Sequence, residues 1–200
     1  MSFDIEALTW DKKHRMERGK HIADAIAQQI EHRGHGMEFG AGTGIISFFL
    51  NDHFESITAI DSSKGMIDQL ATKVASTDGI NILPVKTDIL LDQHDEQYDV
   101  IFHSLVLHHI EDIHKIHDKF YELLKPGGKL IFVDLNTEDG SFHAKYPDFD
   151  GHLGFDQSSL KSIIEQRGFK NIHSETIYHG EKTYENKTSK YSLFLMSAKK

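Results

Sequence analysis

Residues 37–50, "MEFGAGTGIISFFL", place three glycines at alternate positions between a short apolar run and a second apolar run of helical character. Glycine adopts positive φ angles easily and lets a ligand approach the backbone closely. Gly40, Gly42 and Gly44 therefore predict a tight turn built around a bound group. The flanking residues predict a strand near 37–39 and a helix over 44–51. Such a stretch opens an α/β sheet with a binding site at its first turn.

Length and composition predict one domain, residues 1–200. Of the 200 residues, 38% are hydrophobic and 26% are charged, which is enough to bury one sizeable core. The formal net charge of -9 disfavours nucleic acid as a partner, because binding to a phosphate backbone needs clustered Lys and Arg. The absence of cysteine excludes thiol nucleophiles, zinc–thiolate sites and cysteine-ligated clusters.

The N-terminal sequence contains no apolar core of signal-peptide length, and no run of about 18 apolar residues occurs in the chain. We therefore expect no membrane span and a cytoplasmic location. The sequence makes no prediction about the oligomeric state.

Short apolar runs alternate with helical patterns along the chain, which is typical of βαβ units. The predicted fold is α/β, a Rossmann-like three-layer sandwich with a mostly parallel seven-stranded sheet. The chain divides into an N-terminal helical cap (1–34), a cofactor-binding core (35–135) and a C-terminal part (136–200) with a lid loop, a helix and a strand pair. The paired strands, predicted at 171–178 and 191–198, are joined by polar residues without a helix. We therefore expect an antiparallel C-terminal strand.

Two phosphate-binding motifs fit the glycine turn poorly. A P-loop needs Gly-Lys-Ser/Thr at the start of the helix, whereas Gly44 is followed by Ile45 and Ile46. A dinucleotide motif, G-x-G-x-x-G, needs a glycine where Ile45 stands. Glu38, two residues before the first glycine of the turn, would place a carboxylate beside a pyrophosphate. It suits a ligand with an ammonium group better.

Five features in the expected order resemble the class I S-adenosylmethionine-dependent methyltransferases over nearly the whole chain. "EFGAGTG" (38–44) resembles the first motif of that family, and the second strand ends in an acidic residue, Asp61. "KTDIL" (86–90), "YDVIFHSLVLHHIED" (98–112) and "LLKPGGKLIFVDL" (123–135) resemble its motifs at the third, fourth and fifth strands. The chain is most similar to the small-molecule group around the ubiquinone and menaquinone C-methyltransferases.

This resemblance implies S-adenosyl-L-methionine as the cofactor and S-adenosyl-L-homocysteine as its product. Asp61 can accept both ribose hydroxyls through its two carboxylate oxygens, with Ser62 beside the ribose; a helix N-cap is its alternative role. Asp88 is implied to accept from the adenine amino group, with a turn residue as its alternative role, and Ile89 to pack nearby. The residues implied at the methionine end are Glu38, Gly40, Ala41, Gly42, Gly44 and His103.

The motifs narrow the acceptor by exclusion. Cytosine C5 methyltransferases use a cysteine nucleophile, which this chain lacks. Amino methyltransferases of adenine or glutamine amide show Asx-Pro-Pro-aromatic where this chain has "HSLV" (103–106). Metal-dependent catechol-type O-methyltransferases carry an acidic residue where His103 stands, although Asp134 with Asn136 leaves a small opening for that class. A small-molecule acceptor with a carbon, nitrogen or oxygen nucleophile remains.

The chain has 15 histidines, and several lie close together after the fourth strand, which raises the question of a metal site. No H-E-x-x-H or comparable spacing occurs, so we expect no metal site. We expect His114 and His117 to be exposed on a helix whose apolar stripe faces the other way. His108 and His109 belong to an "LHH" segment that we expect to lie in a loop near the pocket.

The loop over residues 136–155 concentrates aromatic and imidazole groups, and we expect it to cover the acceptor. Because histidine titrates near neutral pH, His143 and His152 in this loop are the candidates for a catalytic general base. The predicted function is methyl transfer by direct displacement. Two alternatives remain, an NAD-dependent oxidoreductase and a non-catalytic cofactor-binding or partner protein.

Overall fold

The computed structural model describes residues 3–200, and within them helices and strands alternate as the sequence predicts. The helices are α1 (Phe3–Glu6), α2 (Lys13–Ala27), α3 (Ile45–Leu50), α4 (Lys64–Ala75), α5 (Ile113–Leu123) and α6 (Gln157–Gln166). The strands are β1 (His35–Phe39), β2 (Ser56–Asp61), β3 (Ile82–Lys86), β4 (Tyr98–Ser104), β5 (Leu124–Leu135), β6 (Lys170–Tyr184) and β7 (Lys187–Lys199). Short 3₁₀ turns lie at Ala7–Thr9, Asn51–His53, Leu107–His109 and Ser141–His143.

The seven strands form one sheet in the order β3-β2-β1-β4-β5-β7-β6. β1 pairs in parallel with β2 and β4, and β3 and β5 extend the parallel part on either side. β7 runs antiparallel to both β5 and β6, which confirms the predicted mostly parallel sheet with a reversed C-terminal strand. The strand order reverses between β1 and β4, so a crevice opens beyond the carboxyl ends of these strands.

Helices cover both faces of the sheet and make three layers. α2, α3 and α4 contribute side chains such as Ile22 and Leu70 to a buried apolar cluster on one face. α5 and α6 contribute to a second cluster on the other face, where Phe120 is fully buried. Strand residues alternate between the two clusters, as Phe102 and Ile101 do on β4.

The C-terminal strand pair is a long hairpin. The sequence analysis predicted that residues 179–190 connect the two strands outside the sheet, and this is wrong, because most of them extend the strands. β6 and β7 pair up to Tyr184 and Lys187, and only Glu185 and Asn186 form the turn, with φ of 46° and 63°. Positive φ at both residues matches the two-residue turns that join twisted strands. The sequence pattern missed this part of the hairpin because most of its residues are exposed and polar, so no apolar alternation marks it.

Glycines follow the ends of two helices. Gly168, with φ of 97°, follows the end of α6 as a C-cap glycine should. α5 ends at Leu123, before the "KPGG" segment at 125–128, and β5 runs through that segment with an irregular register against β4. Within residues 3–200, no helix has both the length and the apolar composition that a transmembrane span requires.

Candidate active site

A cavity of about 580 Å³ opens beyond the carboxyl ends of β1, β2 and β4. The strand ends and the glycine turn form one part of its wall. The N-terminal segment and α2 form a second part, and the lid loop with β6 and β7 forms a third. Most of the residues that the sequence analysis assigned to the cofactor line this cavity, which lies at the switch point of the sheet.

The glycine turn contributes Gly40, Ala41 and Gly42 to the cavity wall. All three glycines of the turn have positive φ. Gly44 has φ of 80°, and a Cβ added there would lie 2.4 Å from Leu70 Cδ1. Gly44 is therefore required for packing between the turn and α4, and it does not line the cavity.

Glu38 lies near the end of β1 with only 2% of its surface exposed, and it lines the cavity. Ser47 donates two hydrogen bonds to its Oε2, one from the backbone amide at 3.0 Å and one from the hydroxyl. Burial raises the pKa of Glu38 to about 8, although the two bonds from Ser47 act in the opposite direction. The carboxyl group is therefore protonated at neutral pH until a positive charge is brought to it.

Asp61 ties the glycine turn to the start of α4. Its Oδ2 accepts the Gly42 amide and its Oδ1 accepts the Ser63 amide, both at 2.8 Å. The N-cap of α4 is Ser63, whose hydroxyl accepts the Met66 amide, so Asp61 is not that cap. Burial raises the pKa of Asp61, against the effect of the two amides. Each carboxylate oxygen keeps a further acceptor position for a ligand.

Ser62 and Asp88 line the cavity at the ends of β2 and β3, whereas Ile89 does not. Asp88 also stabilises a turn, since its Oδ1 accepts the Leu90 amide at 3.0 Å. Both roles weighed for Asp88 are therefore compatible with its position. Ile89 is 2% exposed and packs in the core on the α5 face of the sheet.

The structure corrects the position expected of His103. Its side chain is fully buried, and its ring stacks on Phe132 and Phe120 with centroid distances of 4.8 and 5.4 Å. Neither ring nitrogen has a hydrogen-bond partner, and burial lowers the pKa of His103 to about 3. The ring faces α5 because side chains alternate along β4. Ser104 and Leu105 line the cavity instead.

His108 and Asp134 form a buried pair next to the ends of β4 and β5. His108 Nδ1 lies 2.6 Å from Asp134 Oδ1, and the amides of Leu107 and Leu135 also donate to this carboxylate. Burial acts to raise the pKa of Asp134, but the neighbouring His108 and the Leu135 amide lower it below its usual range. An ionised Asp134 assigns the proton to Nδ1 and leaves Nε2 of His108 as an acceptor. His108 lines the cavity.

His109 and His143 bring two further imidazoles to His108, and one ring nitrogen of each lies within 4.8 Å of the others. Burial, with the nearby His108, lowers the pKa of His109 to about 3 and that of His143 to about 4. Neutral imidazole nitrogens are common metal ligands, so this trio could hold a metal ion. The expectation of no metal site overlooked the trio because His143 comes from the distant lid loop.

Of the two predicted general bases, His143 lines the cavity and His152 does not. The His143 ring stacks on Phe149 with centroids 3.7 Å apart, and its Nδ1 is buried without a hydrogen-bond partner. His152 points elsewhere, with its Nε2 at 3.0 Å from the Ile110 carbonyl oxygen. The lid loop therefore brings one of its two candidate histidines to the cavity.

The predicted exposure of the two α5 histidines is half wrong. His114 is exposed, but His117 is fully buried and its Nδ1 contacts the Ile113 carbonyl oxygen. His117 is four residues after Ile113 and three before Phe120, so it shares their buried face.

The N-terminal segment supplies cavity residues that the sequence analysis did not name. Trp10 lines the cavity, and the Arg15 guanidinium lies 3.7 Å from its ring centroid. Glu6 pairs with Arg15 at 3.8 Å and accepts a hydrogen bond from Tyr146 of the lid loop. Asp4 accepts two hydrogen bonds from the start of α4. The mixture of aromatic and charged residues before α2 was the available signal.

Comparisons with known proteins find methyltransferases. A family model described as a methyltransferase domain matches residues 37–130. The chain is 29% identical over 153 residues to an uncharacterized methyltransferase of Schizosaccharomyces pombe, across 68% of this chain and 53% of that protein. It is 34% identical over 113 residues to the ubiquinone biosynthesis O-methyltransferase of Coxiella burnetii, across 56% of this chain and 48% of that protein. The chain thus spans about half the length of these curated relatives.

Among solved structures, phosphoethanolamine N-methyltransferase 2 of Haemonchus contortus, in complex with S-adenosyl-L-methionine, matches with a TM-score of 0.72 at 16% identity. The match covers 89% of this chain and 52% of that chain, and at this identity it supports the fold. The residues matched by the family model include the glycine turn, the acidic end of β2, β3, β4 and the first part of β5. Residues 37–130 match a methyltransferase domain, and the comparisons support similarity of the chain to the class I S-adenosylmethionine-dependent methyltransferases.

Proposed function

We propose that this chain binds S-adenosylmethionine along the glycine turn and transfers its methyl group to a small-molecule acceptor in the same cavity. One observation carries the proposal: a single cavity is lined both by Asp61 with the glycine turn and by His108. Groups that suit the cofactor and a group that can remove a proton therefore face the same space.

The chain's own residues fit this cofactor. The buried Glu38 carboxyl offers a negative charge to an ammonium group, and Asp61 offers acceptor positions to ribose hydroxyls. Ser62 and Asp88 extend the same wall toward β3. When bound, the cofactor supplies an electrophilic methyl group on a sulfonium. Gly44, Ile89 and His103 do not line the cavity and are left out of the proposed contacts.

We assign the general base to His108. Asp134 orients the ring and holds the Nδ1 proton, so that Nε2 can accept a proton from the acceptor as its nucleophile attacks. The imidazolium formed in that step is stabilised by the adjacent Asp134 carboxylate at 2.6 Å. His143 remains a weaker candidate because its ring is held against Phe149. The lid loop and the N-terminal segment, joined through Glu6 and Tyr146, help to exclude water from this step.

The histidine trio favours one variant of this function, a metal-assisted transfer. A metal ion on His108, His109 and His143 would lower the pKa of an acceptor hydroxyl. It would also occupy the ring nitrogen of His108 that the base mechanism needs, so the two mechanisms exclude each other. We prefer the base mechanism because Asp134 already completes it without a further group.

The test measures S-adenosylhomocysteine formation from S-adenosylmethionine over a panel of small phenols, amines, enols and their acids. We expect His108→Ala and Asp134→Asn to lower kcat about 100-fold or more, while the affinity for S-adenosylhomocysteine stays within about threefold of the wild-type value. Asp61→Ala should weaken that affinity more than tenfold, as loss of charged hydrogen bonds predicts. The matched control is His114→Ala, which removes an exposed histidine.

Wild-type kcat in His108→Ala would remove this residue from the mechanism. Tight cofactor binding without turnover on any acceptor would favour the non-catalytic alternative, and preferential binding of NADH would favour the oxidoreductase.

The proposed location of the protein is the cytoplasm, which the lack of cysteine favours.

A further inference from the structure

One side of the cavity carries an excess of cations. This acceptor side consists of the N-terminal segment with α2, the lid loop and β6, whereas Asp61 and Asp88 belong to the other half of the sheet. Two acids of these segments, Glu6 and Glu181, line the cavity. The cavity-lining cations of the same segments are Lys12, Arg15, Arg18, Lys145 and Lys182. Such a surplus stands out in a chain of net charge -9.

Three of these cations are half-buried and lie on a helix and a strand. Arg15 and Arg18 are three residues apart on α2, so they lie on the same helix face, and Lys182 lies on β6. Arg18 donates to the Tyr191 hydroxyl at 3.3 Å, and Lys182 donates to the Phe142 carbonyl. Within residues 3–200, neither Arg18 nor Lys182 has a carboxylate partner.

The cations also repel one another. Burial lowers the pKa of Lys182, and Arg18, Arg15 and Lys145 lower it further, while Glu138 opposes them. Burial likewise lowers the pKa of Arg15; Glu6 opposes this effect, and Arg18 adds to it. Partly desolvated charges of one sign are costly unless an opposite charge joins them. An anionic ligand would remove this cost.

We propose that Arg15, Arg18 and Lys182 bind an oxyanion of the acceptor, a carboxylate or a phosphate, so that the methyl acceptor is a small acid. Guanidinium groups match the planar or tetrahedral oxygens of such anions through paired donors, and the lysine adds a point charge. This inference rests on the proposed function and adds the chemical class of its substrate.

The geometry also gives the acceptor an orientation. The Phe142 ring is near both groups, with its centroid 4.3 Å from Lys182 Nζ and 6.3 Å from the His108 ring centroid. An acid about one aromatic ring in length can therefore place its anionic end at Lys182 and its nucleophile toward His108. Phe142 and Tyr191, whose rings contact each other at 4.9 Å, offer an apolar surface for the part between.

The experiment titrates the full chain, saturated with S-adenosylhomocysteine, with three probes of similar size: benzoate, phenyl phosphate and benzamide. We expect at least one of the two acids to bind ten times more tightly than neutral benzamide, and the preferred acid identifies the oxyanion. Arg18→Gln and Lys182→Gln should each weaken that binding about tenfold or more, the usual effect of losing a charge-assisted hydrogen bond. The matched control is Lys20→Gln, also on α2 but exposed and paired with Asp24.

Benzamide binding as tightly as the acids, no binding of either acid, or unchanged acid affinity in both variants would overturn the proposal. Unchanged S-adenosylhomocysteine affinity in both variants shows that they are folded. The same titrations without S-adenosylhomocysteine separate the two claims: if the wild-type chain fails to bind this product, the proposed function fails, while the acid titration still decides the anion site.

Discussion

The buried carboxyl of Glu38 makes cofactor binding a proton-releasing reaction. In the free protein its pKa is about 8, because burial disfavours the charged form. An ammonium group placed beside this carboxyl reverses that preference and brings its pKa back toward the usual range of a glutamate. Binding of S-adenosylhomocysteine should therefore expel the Glu38 proton into the solvent.

The magnitude follows from the shifted value. With a pKa of about 8, roughly nine in ten Glu38 side chains carry the proton at pH 7, so binding releases about 0.9 proton. By linkage, the association constant should rise nearly tenfold per pH unit between about pH 5.5 and 7.5 and level off above pH 8. The affinity is gained as the pH rises because the free state, and not the complex, holds the proton.

Calorimetry in buffers of low and high ionisation enthalpy, such as phosphate and Tris, measures the proton count as the slope of the observed enthalpy. Glu38→Gln is the matched control, since it keeps an acceptor for Ser47 but cannot release a proton. A wild-type slope of zero at pH 7, equal to that of Glu38→Gln, would refute the reasoning. Either the carboxyl would then already be ionised in the free protein or the ammonium would bind elsewhere.

Three further predictions concern packing, acid stability and metals. Gly44→Ala should lower the free energy of unfolding by about 2 kcal/mol more than Gly79→Ala, because both glycines have positive φ but only the Cβ at Gly44 would meet Leu70; equal losses in urea unfolding would contradict the clash. The free energy of unfolding should fall as the pH drops from about 6.5 to 4, since His103 and His117 are buried and neutral when folded but protonated when unfolded, with folded pKa values of about 3 and about 4. Each of these two histidines adds up to about 1.4 kcal/mol per pH unit to the slope of the unfolding free energy against pH, and Glu38, as one group, acts in the opposite direction. His103→Leu should remove one histidine's contribution; an unchanged slope in that variant would contradict the role of His103. Finally, dialysis against EDTA should leave methyl transfer intact and added Zn²⁺ should inhibit it; loss of activity on dialysis, with recovery on adding a metal, would reassign the histidine trio as a metal site.

The parallel part of the fold was predictable because its strands and helices are buried on one or both faces. Their apolar periodicity is therefore visible in the sequence, as in β5 and in the stripe of α4. The outer half of the β6–β7 hairpin was not predictable from the same signal. Its pairing depends on backbone hydrogen bonds and on the turn at Glu185 and Asn186, which polar side chains on both faces conceal.

Within the site, residues next to the glycine turn were easier to place than residues that meet through the tertiary fold. Glu38 and Asp61 follow from their positions at strand ends. His103 was misplaced because the side on which a strand residue points changes with each position along β4. The pairing of His108 with Asp134 depends on β4 and β5 being neighbours, and the approach of His143 depends on the path of the lid loop. Neither contact can be predicted from the spacing of residues along the sequence.

The position of β7 in the sheet has a consequence for the order of folding during synthesis. β7 follows β5 and β6 along the chain, yet it lies between them in the sheet and buries Leu193 and Phe194 completely. Until residues 187–199 leave the ribosome, β5 keeps an open edge, and β6, which carries Lys182, has no partner strand. Open edges of apolar strands invite pairing with other chains. A ribosome that stalls before β7 has emerged therefore holds a nascent chain in which the glycine turn is complete, the acceptor side is unbuilt and the edge of β5 is open to aggregation.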